Sequence, residues 1–258
     1  MATLSEITCC AFADACKNIF KSTGIWLGLT ILTLYTVFAA AALANPEIGI
    51  CVTSFPGIIL LVLSIFVWIF LTGIYVKPLR GEKADFKNPG KSFVQGILFS
   101  VIYLVWTIIP LILAALLLYG GIVSGSMLSS AHDHISYNIA LGVGWVFAAA
   151  VYLLFCIIWI PAEVNFAKSG RFRDAFTFAK YLEQIQAAGT AKFLLGLLLL
   201  VVLEAAMLCT LICTGGLLSL IPVAGPWLGM LVISAFIPYF WIFAAAFSAR
   251  LVAEANHD

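Results

Sequence analysis

Six long apolar runs restrict the fold of this chain more than any other feature of its sequence. They cover residues 24–44, 55–76, 96–119, 140–162, 191–214 and 226–249. A helix needs about 20 apolar residues to cross the hydrocarbon core of a bilayer, which is roughly 30 Å thick. Lipid offers the backbone no hydrogen-bond partner, so each run must satisfy its own peptide groups, as a helix does. The sequence therefore predicts an all-α integral membrane bundle of six transmembrane helices.

The positively charged residues predict how this bundle lies in the membrane. The 13 Lys and Arg residues fall only near 17–21, 77–91 and 168–192, and at Arg250. The alternate connections, which contain no Lys or Arg, are 45–53, 120–140 and 215–225. Because cytoplasmic connections carry an excess of Lys and Arg, we predict a plasma-membrane protein with both termini in the cytoplasm. The first span ends with Ala42-Leu43-Ala44, which matches the pattern of a signal-peptide cleavage site. The apolar run is long enough to cross the membrane, however, and this favours a retained helix.

The overall charge also limits the partners that the sequence predicts. Only 10% of the residues are charged and the net charge is +1, so nothing points to nucleic acid. Basic residues at a membrane surface attract anionic headgroups at about 1 kcal/mol each. We therefore predict that the bilayer, through anionic headgroups on the cytoplasmic side, is the partner of the basic connections. The seven Cys residues are scattered and lack metal-ligand spacing, and we predict neither a disulfide framework nor a cofactor.

The spans pair into three helical hairpins within a single predicted membrane domain, residues 1–258. The predicted hairpin units are 1–80, 81–165 and 166–258. All three enter from the same side, as the units of a parallel internal repeat do. Any six-span protein with short outer loops shows a similar periodicity, so repeat and simple periodicity are both open interpretations of this pattern.

Each hairpin is predicted to follow a helix that lies in the membrane interface on the basic side. Residues 5–22 and 170–187 have apolar and polar faces at helical spacing, which is typical of interfacial helices. Pro89 and Gly90 weaken the middle segment, 81–95. The apolar face predicted for 170–187 consists of Phe172, Ala175, Ala179 and Leu182, and the polar face of Arg173, Thr177, Lys180 and Gln184.

Two stretches on the basic side carry a family resemblance. They are Gly73-Ile74-Tyr75-Val76-Lys77-Pro78-Leu79-Arg80-Gly81 and Pro161-Ala162-Glu163-Val164-Asn165-Phe166-Ala167-Lys168-Ser169-Gly170-Arg171-Phe172-Arg173-Asp174-Ala175-Phe176. Together they resemble an uncharacterised family of prokaryotic polytopic membrane proteins, domain of unknown function four-zero-one-three. Ile74 and Lys77-Pro78 depart from the usual form of the first stretch. The resemblance implies an integral membrane protein and carries no catalytic residues with it.

The second of these stretches also has a physical interpretation of its own. Gly170 breaks the spanning helix, and Ser169 suits the N-cap of the helix that follows. Arg171 and Arg173 then reach the depth of the lipid phosphates, which favours a turn followed by a membrane anchor. The alternative is a docking site for lipid headgroups or a protein partner, formed by Lys168, Arg171, Arg173, Arg80 and Lys83.

Glu204 is the acidic residue that the sequence places deepest in a span. An acid at the centre of a bilayer costs about 3 kcal/mol, and such residues usually face the bundle interior or a wet cavity. The leucine-rich run 194–203 offsets this cost at about 0.5 kcal/mol per residue. We predict that Glu204 hydrogen-bonds Thr or Ser side chains across the bundle, with a functional role in proton- or substrate-linked transport as the alternative.

Glu163 is a second acidic residue near the basic side of the predicted bundle. It follows Pro161 at the inner edge of the fourth span, with Lys168 and Arg171 close in sequence. This spacing favours an ion pair at the membrane interface, which contributes little when it is exposed.

The histidines are weak candidates for a metal site. His132 and His134 flank Asp133 in the longest outer loop, and Glu47 is the only other acidic residue predicted on that side. A metal ion would need further ligands, so a solvated loop is the preferred interpretation.

The predicted function follows from how little chemistry the spans contain. No catalytic constellation is visible, so we expect a non-enzymatic membrane scaffold or accessory subunit, with a membrane protein as its potential partner. The alternative is a transporter or pore for a proton, small solute or lipid, with Glu204 in the pathway. Such a pore needs polar side chains along one stripe, for which the candidates are Glu204, Thr107, Thr210, Ser100 and Ser234.

Overall fold

The computed structural model describes residues 3–20, 23–44, 54–128, 134–222 and 224–253. The helices are α1 (Leu4–Phe20), α2 (Thr23–Ala44), α3 (Phe55–Leu79), α4 (Pro89–Leu128), α5 (His134–Ser169), α6 (Phe178–Ala187), α7 (Thr190–Ser219) and α8 (Gly225–Ala253). A short 3-10 helix, Phe172–Phe176, lies between α5 and α6. In the part of the chain described, six helices (α2, α3, α4, α5, α7 and α8) are long and apolar enough to cross a membrane. The prediction of an all-α bundle with six spans is confirmed.

Local sequence explains where the helices on the basic side end. Gly81 and Gly170 follow α3 and α5 and have φ values of +79° and +68°. Residues other than glycine rarely adopt this conformation, so these positions end the helices and reverse the chain. At the start of α3, the Ser54 hydroxyl accepts the N–H of Gly57 at 3.2 Å and caps the helix.

A short helix precedes only two of the three hairpins. Helix α1 precedes the α2–α3 pair, and α6 precedes the α7–α8 pair. Between α3 and α4, residues 82–86 have no regular secondary structure, and α4 begins directly at Pro89. Proline fits the first turn of a helix but not its interior, which explains why the segment before Pro89 does not join the helix. The expectation of an interfacial helix before the middle hairpin is wrong.

Helix α8 lies at the centre of the bundle. It packs against α1, α2, α3, α5 and α7. Its C-terminal half is buried on nearly every side, through Ile242, Phe243, Ala244, Ala245, Ala246, Phe247, Ser248, Ala249, Leu251 and Val252. Helix α7 is the opposite case, because it packs mainly against α8 and leaves most of its side chains exposed. The apolar surface of α7 therefore faces lipid or a partner.

Helices α3 and α4 approach each other closely at two glycines. A Cβ atom on Gly73 would lie 1.8 Å from the Ser92 carbonyl oxygen, and one on Gly96 would lie 1.8 Å from the Ile69 carbonyl oxygen. Glycine is required at both positions, since backbone atoms occupy the space of a side chain. Small residues that let backbones approach are the usual means of helix association in lipid.

Candidate functional site

The two stretches that carry the family resemblance meet at one end of the bundle. The Nε of Arg80, just after α3, donates a hydrogen bond to the carbonyl oxygen of Ala167, near the end of α5. The loop that follows α3 is therefore joined to the end of α5. Lys83, Lys168, Arg171 and Arg173 are exposed around this junction, and Arg80 is half-buried. We call these five basic residues the basic end.

Lys77 fixes the conformation of the loop between α3 and α4. Its buried Nζ donates to the Asp85 carboxylate at 2.6 Å, to the Asp85 carbonyl at 2.7 Å and to the Lys87 carbonyl at 3.0 Å. Partial burial by itself would raise the pKa of Asp85. The hydrogen bond and charge of Lys77, together with the hydrogen bond from the Lys87 N–H, have the larger effect and lower this pKa. Asp85 therefore stays ionised and paired near neutral pH.

The fixed loop and the start of α4 enclose a cleft of about 410 Å³. We call it the basic cleft; it is lined by Lys77, Arg80, Glu82, Lys83, Asp85, Lys87, Asn88, Lys91, Ser92 and Gln95. Two of the basic-end residues, Arg80 and Lys83, contribute to it. The cleft lies where α3 ends and α4 begins, at the end of two spans.

The segment after α5 packs back against the bundle instead of forming one interfacial helix. Ser169 does not cap a long helix, because its hydroxyl accepts the N–H of Arg171 at 3.1 Å within a tight turn. The 3-10 helix then places Ala175 in the interior, where its carbonyl accepts the Trp106 indole N–H at 3.3 Å. Trp106 also stacks on Phe176 with 6.0 Å between ring centroids. The single helix predicted for 170–187 is thus divided at Thr177.

The faces predicted for this segment were also partly wrong. Leu182, assigned to the apolar face, is 62% exposed, whereas Gln184, assigned to the polar face, is 6% exposed. The reason is a paired hydrogen bond between amides. The Asn165 amide donates to Gln184 at 3.0 Å and accepts from it at 2.9 Å. Each buried amide satisfies the other, so burial of Gln184 is possible without water.

Glu163 lies inside the bundle and not at its surface. Its side chain is 3% exposed, and its Oε2 accepts the Tyr75 hydroxyl at 3.4 Å. The side chains of Ser248 and Trp159 also hydrogen-bond to this carboxyl group. The predicted interface ion pair is therefore wrong, because neutral donors from α3, α5 and α8 surround Glu163. We call these four residues the Glu163 cluster.

The comparisons with known proteins identify a family and no activity. The sequences described as "Protein of unknown function (DUF4013)" match residues 56–223. The chain belongs to this family. No curated protein and no solved structure matches it. The DUF4013 match begins in α3 and ends just before α8, and it includes the loops of the basic end.

Glu204 lies within the DUF4013 match, on an exposed part of α7. Its neighbours Val201, Val202 and Leu208 are exposed apolar side chains. Helix α7 packs mainly against α8, and Glu204 lies on a part of α7 that this contact leaves exposed.

The predicted histidine site falls largely outside the described residues. His132 and Glu47 are outside them, and His134 is described only as the first residue of α5. Among the side chains that the structure describes, no group of three His, Cys, Asp or Glu residues is placed to hold a metal ion.

Proposed function

We propose that this DUF4013 protein is a non-enzymatic membrane scaffold or accessory subunit that docks a partner membrane protein on α7. One observation carries the proposal: α7 is a spanning helix on the periphery of the bundle, and it exposes Glu204 among apolar side chains. An acid in contact with hydrocarbon costs about 3 kcal/mol. A partner helix that offers a hydrogen-bond donor to Glu204 removes most of that cost.

Hydrogen bonds inside the bundle also favour a scaffold over a pore. Of the side chains that a polar stripe would use, Ser234 donates to the Met230 carbonyl at 2.6 Å and Thr210 to the Ala206 carbonyl at 2.8 Å. Ser100 pairs with Thr72 at 3.3 Å. These hydroxyl groups already have partners on their own helix or on the adjacent one, which supports a scaffold more than a polar path.

The second part of the proposal concerns the basic end, which we place against anionic headgroups on the cytoplasmic side of the plasma membrane, with both termini in the cytoplasm. Lys83, Lys168, Arg171 and Arg173 are exposed, as electrostatic attraction to headgroups requires. The nearby side chains of Phe172, Phe178 and Leu182 are exposed too and have the apolar character of groups that enter the lipid interface.

The docking role is tested by purification from native membranes in mild detergent, followed by mass spectrometry. We expect a membrane protein to be recovered in stoichiometric amount with the wild-type chain and with Glu204→Gln, which keeps hydrogen-bonding ability. Recovery falls with Glu204→Leu, which removes it. Glu183→Leu, an exposed acid on α6 outside the spans, is the matched control and leaves recovery unchanged. Absence of a stoichiometric companion, or recovery insensitive to Glu204→Leu, contradicts docking on α7.

A second candidate function is proton-linked transport with Glu204 in the pathway. The observation that favours it is a second acid inside the bundle, Glu163, which is 3% exposed, because transport pathways for protons use acids at membrane depth. The test is proton flux into proteoliposomes that contain a pH-sensitive dye, driven by a potassium diffusion potential. Transport through Glu204 is supported if the folded Glu204→Gln protein shows no proton flux while the wild type and the control Glu183→Gln both do. Flux that survives Glu204→Gln removes Glu204 from the pathway.

A further inference from the structure

The basic cleft contains a buried hydroxyl group that the protein leaves unsatisfied. Ser92 is 1% exposed, and its Oγ has no hydrogen-bond partner among the described residues. Its backbone N–H is already used, in a bond to the Asn88 carbonyl at 3.1 Å. Buried hydroxyl groups nearly always find a partner. A free donor that lines a cleft therefore points to a ligand with an acceptor.

The charges around Ser92 specify the sign of that ligand. Five cations and two carboxylates line the basic cleft, an excess of three positive charges. The Asp85 carboxylate is already held by Lys77, so Glu82, which is exposed, is the one acid of the lining outside that ion pair. Lys87 and Lys91 are exposed and line the same cleft. An anion is strongly favoured over a cation in this position.

The start of α4 adds to this preference. Asn88, Lys91 and Ser92 belong to its first turn and the residue before it. The first N–H groups of a helix carry partial positive charge and favour anions. Asn88, Lys91 and Ser92 line the cleft themselves, so this end of α4 adds to the preference of the cleft for an anion.

We infer that the basic cleft binds a phosphate group, with the Ser92 hydroxyl donating to a phosphate oxygen and Lys91 neutralising its charge. The phosphate belongs either to an anionic lipid headgroup or to a soluble phosphate. This inference rests on the proposed docking of the basic end at the membrane surface and adds a defined site to it. The cleft opens at the ends of two spans, which is the depth of lipid phosphates.

The test uses the full-length protein in neutral detergent, with phosphatidylglycerol, phosphatidylcholine and inorganic phosphate as probes. Native mass spectrometry counts bound lipid, and calorimetric titration measures phosphate binding. Ser92→Ala removes only the hydroxyl, and Lys91→Gln is a second variant at an exposed position. Lys180→Gln is the matched control, because Lys180 is an exposed cation on α6 that does not line the cleft. Thermal unfolding in the same detergent verifies that each variant is folded.

We expect Ser92→Ala and Lys91→Gln each to weaken phosphatidylglycerol binding on the order of five-fold, the loss of one hydrogen bond or one partly exposed charge, while Lys180→Gln keeps it. If inorganic phosphate binds the wild type and both cleft variants lose it, the source is a soluble phosphate. If phosphatidylglycerol is preferred over phosphatidylcholine equally in all variants, docking of the basic end stands and the cleft site is refuted. If the wild type shows no preference and binds no phosphate, both are refuted.

Discussion

Gly96→Ala tests the close contact between α3 and α4. The added Cβ would lie 1.8 Å from the Ile69 carbonyl oxygen and 3.0 Å from the Gly73 nitrogen. Carbon and oxygen atoms normally approach to about 3.3 Å, so α3 and α4 must separate by about 1.5 Å at this point. That movement also breaks the 3.3 Å bond between Thr72 and Ser100. Overpacking costs about 1–3 kcal/mol and the lost bond about 0.6 kcal/mol. Because alanine is the better helix former by about 1 kcal/mol, we expect a net loss of about 2 kcal/mol.

The assay is unfolding of the purified protein in mixed micelles by titration with sodium dodecyl sulfate, followed by circular dichroism. Gly142→Ala is the control, since a Cβ on Gly142 in α5 would meet no atom within 4 Å. It removes a helix-destabilising glycine without a clash and should be neutral or stabilising by up to about 1 kcal/mol. Equal unfolding midpoints for Gly96→Ala and Gly142→Ala would refute the close approach of α3 and α4.

Two further predictions concern polar contacts at the same end of the bundle. The pKa of Asp85 is lowered in the folded protein, so its pair with Lys77 stabilises the fold at any pH above the unfolded pKa of about 3.9. This stabilisation is lost as the pH falls through the lower folded pKa. The unfolding midpoints of the wild type and Asp85→Asn, measured as a function of pH, should therefore converge below about pH 4. Asn165→Leu leaves the buried Gln184 amide without its partner and should lower the free energy of unfolding by about 1–3 kcal/mol. The double variant Asn165→Leu/Gln184→Leu should recover part of this loss in the same titration. If the losses of the two single variants simply add in the double variant, the pairing is contradicted.

The spans were predictable from sequence because the apolar character of a run depends only on its own residues. A run such as 191–214 must be a helix in lipid whatever it packs against, and α7 contains it entirely. The loop after α3 was less predictable, because its form depends on Lys77, a residue of the helix before it, which bonds to the Asp85 and Lys87 carbonyls. Composition at 81–95 carries no trace of these bonds.

The faces of α6 and the position of Glu163 could not be read from periodicity, because their partners are far away in the chain. Gln184 is buried because Asn165 presents a complementary amide. Glu163 is buried because Tyr75 and Ser248 bring donors from two other helices. A helical pattern treats every polar side chain as a solvent-facing group, and it fails where two polar groups satisfy each other inside the bundle.

The Glu163 cluster also shows that the DUF4013 match is not a self-sufficient structural unit in this protein. The match includes Glu163, Tyr75 and Trp159 but ends at residue 223, before α8 begins at Gly225. Ser248, a partner of the buried carboxyl, comes from α8, and so does much of the buried surface against which α3, α5 and α7 pack. Without α8 the Glu163 carboxyl would lose a hydrogen-bond donor and the helices their apolar cover. Since a buried carboxyl is costly unless it is well supplied with hydrogen bonds, the matched helices depend on α8 to complete the surroundings of Glu163.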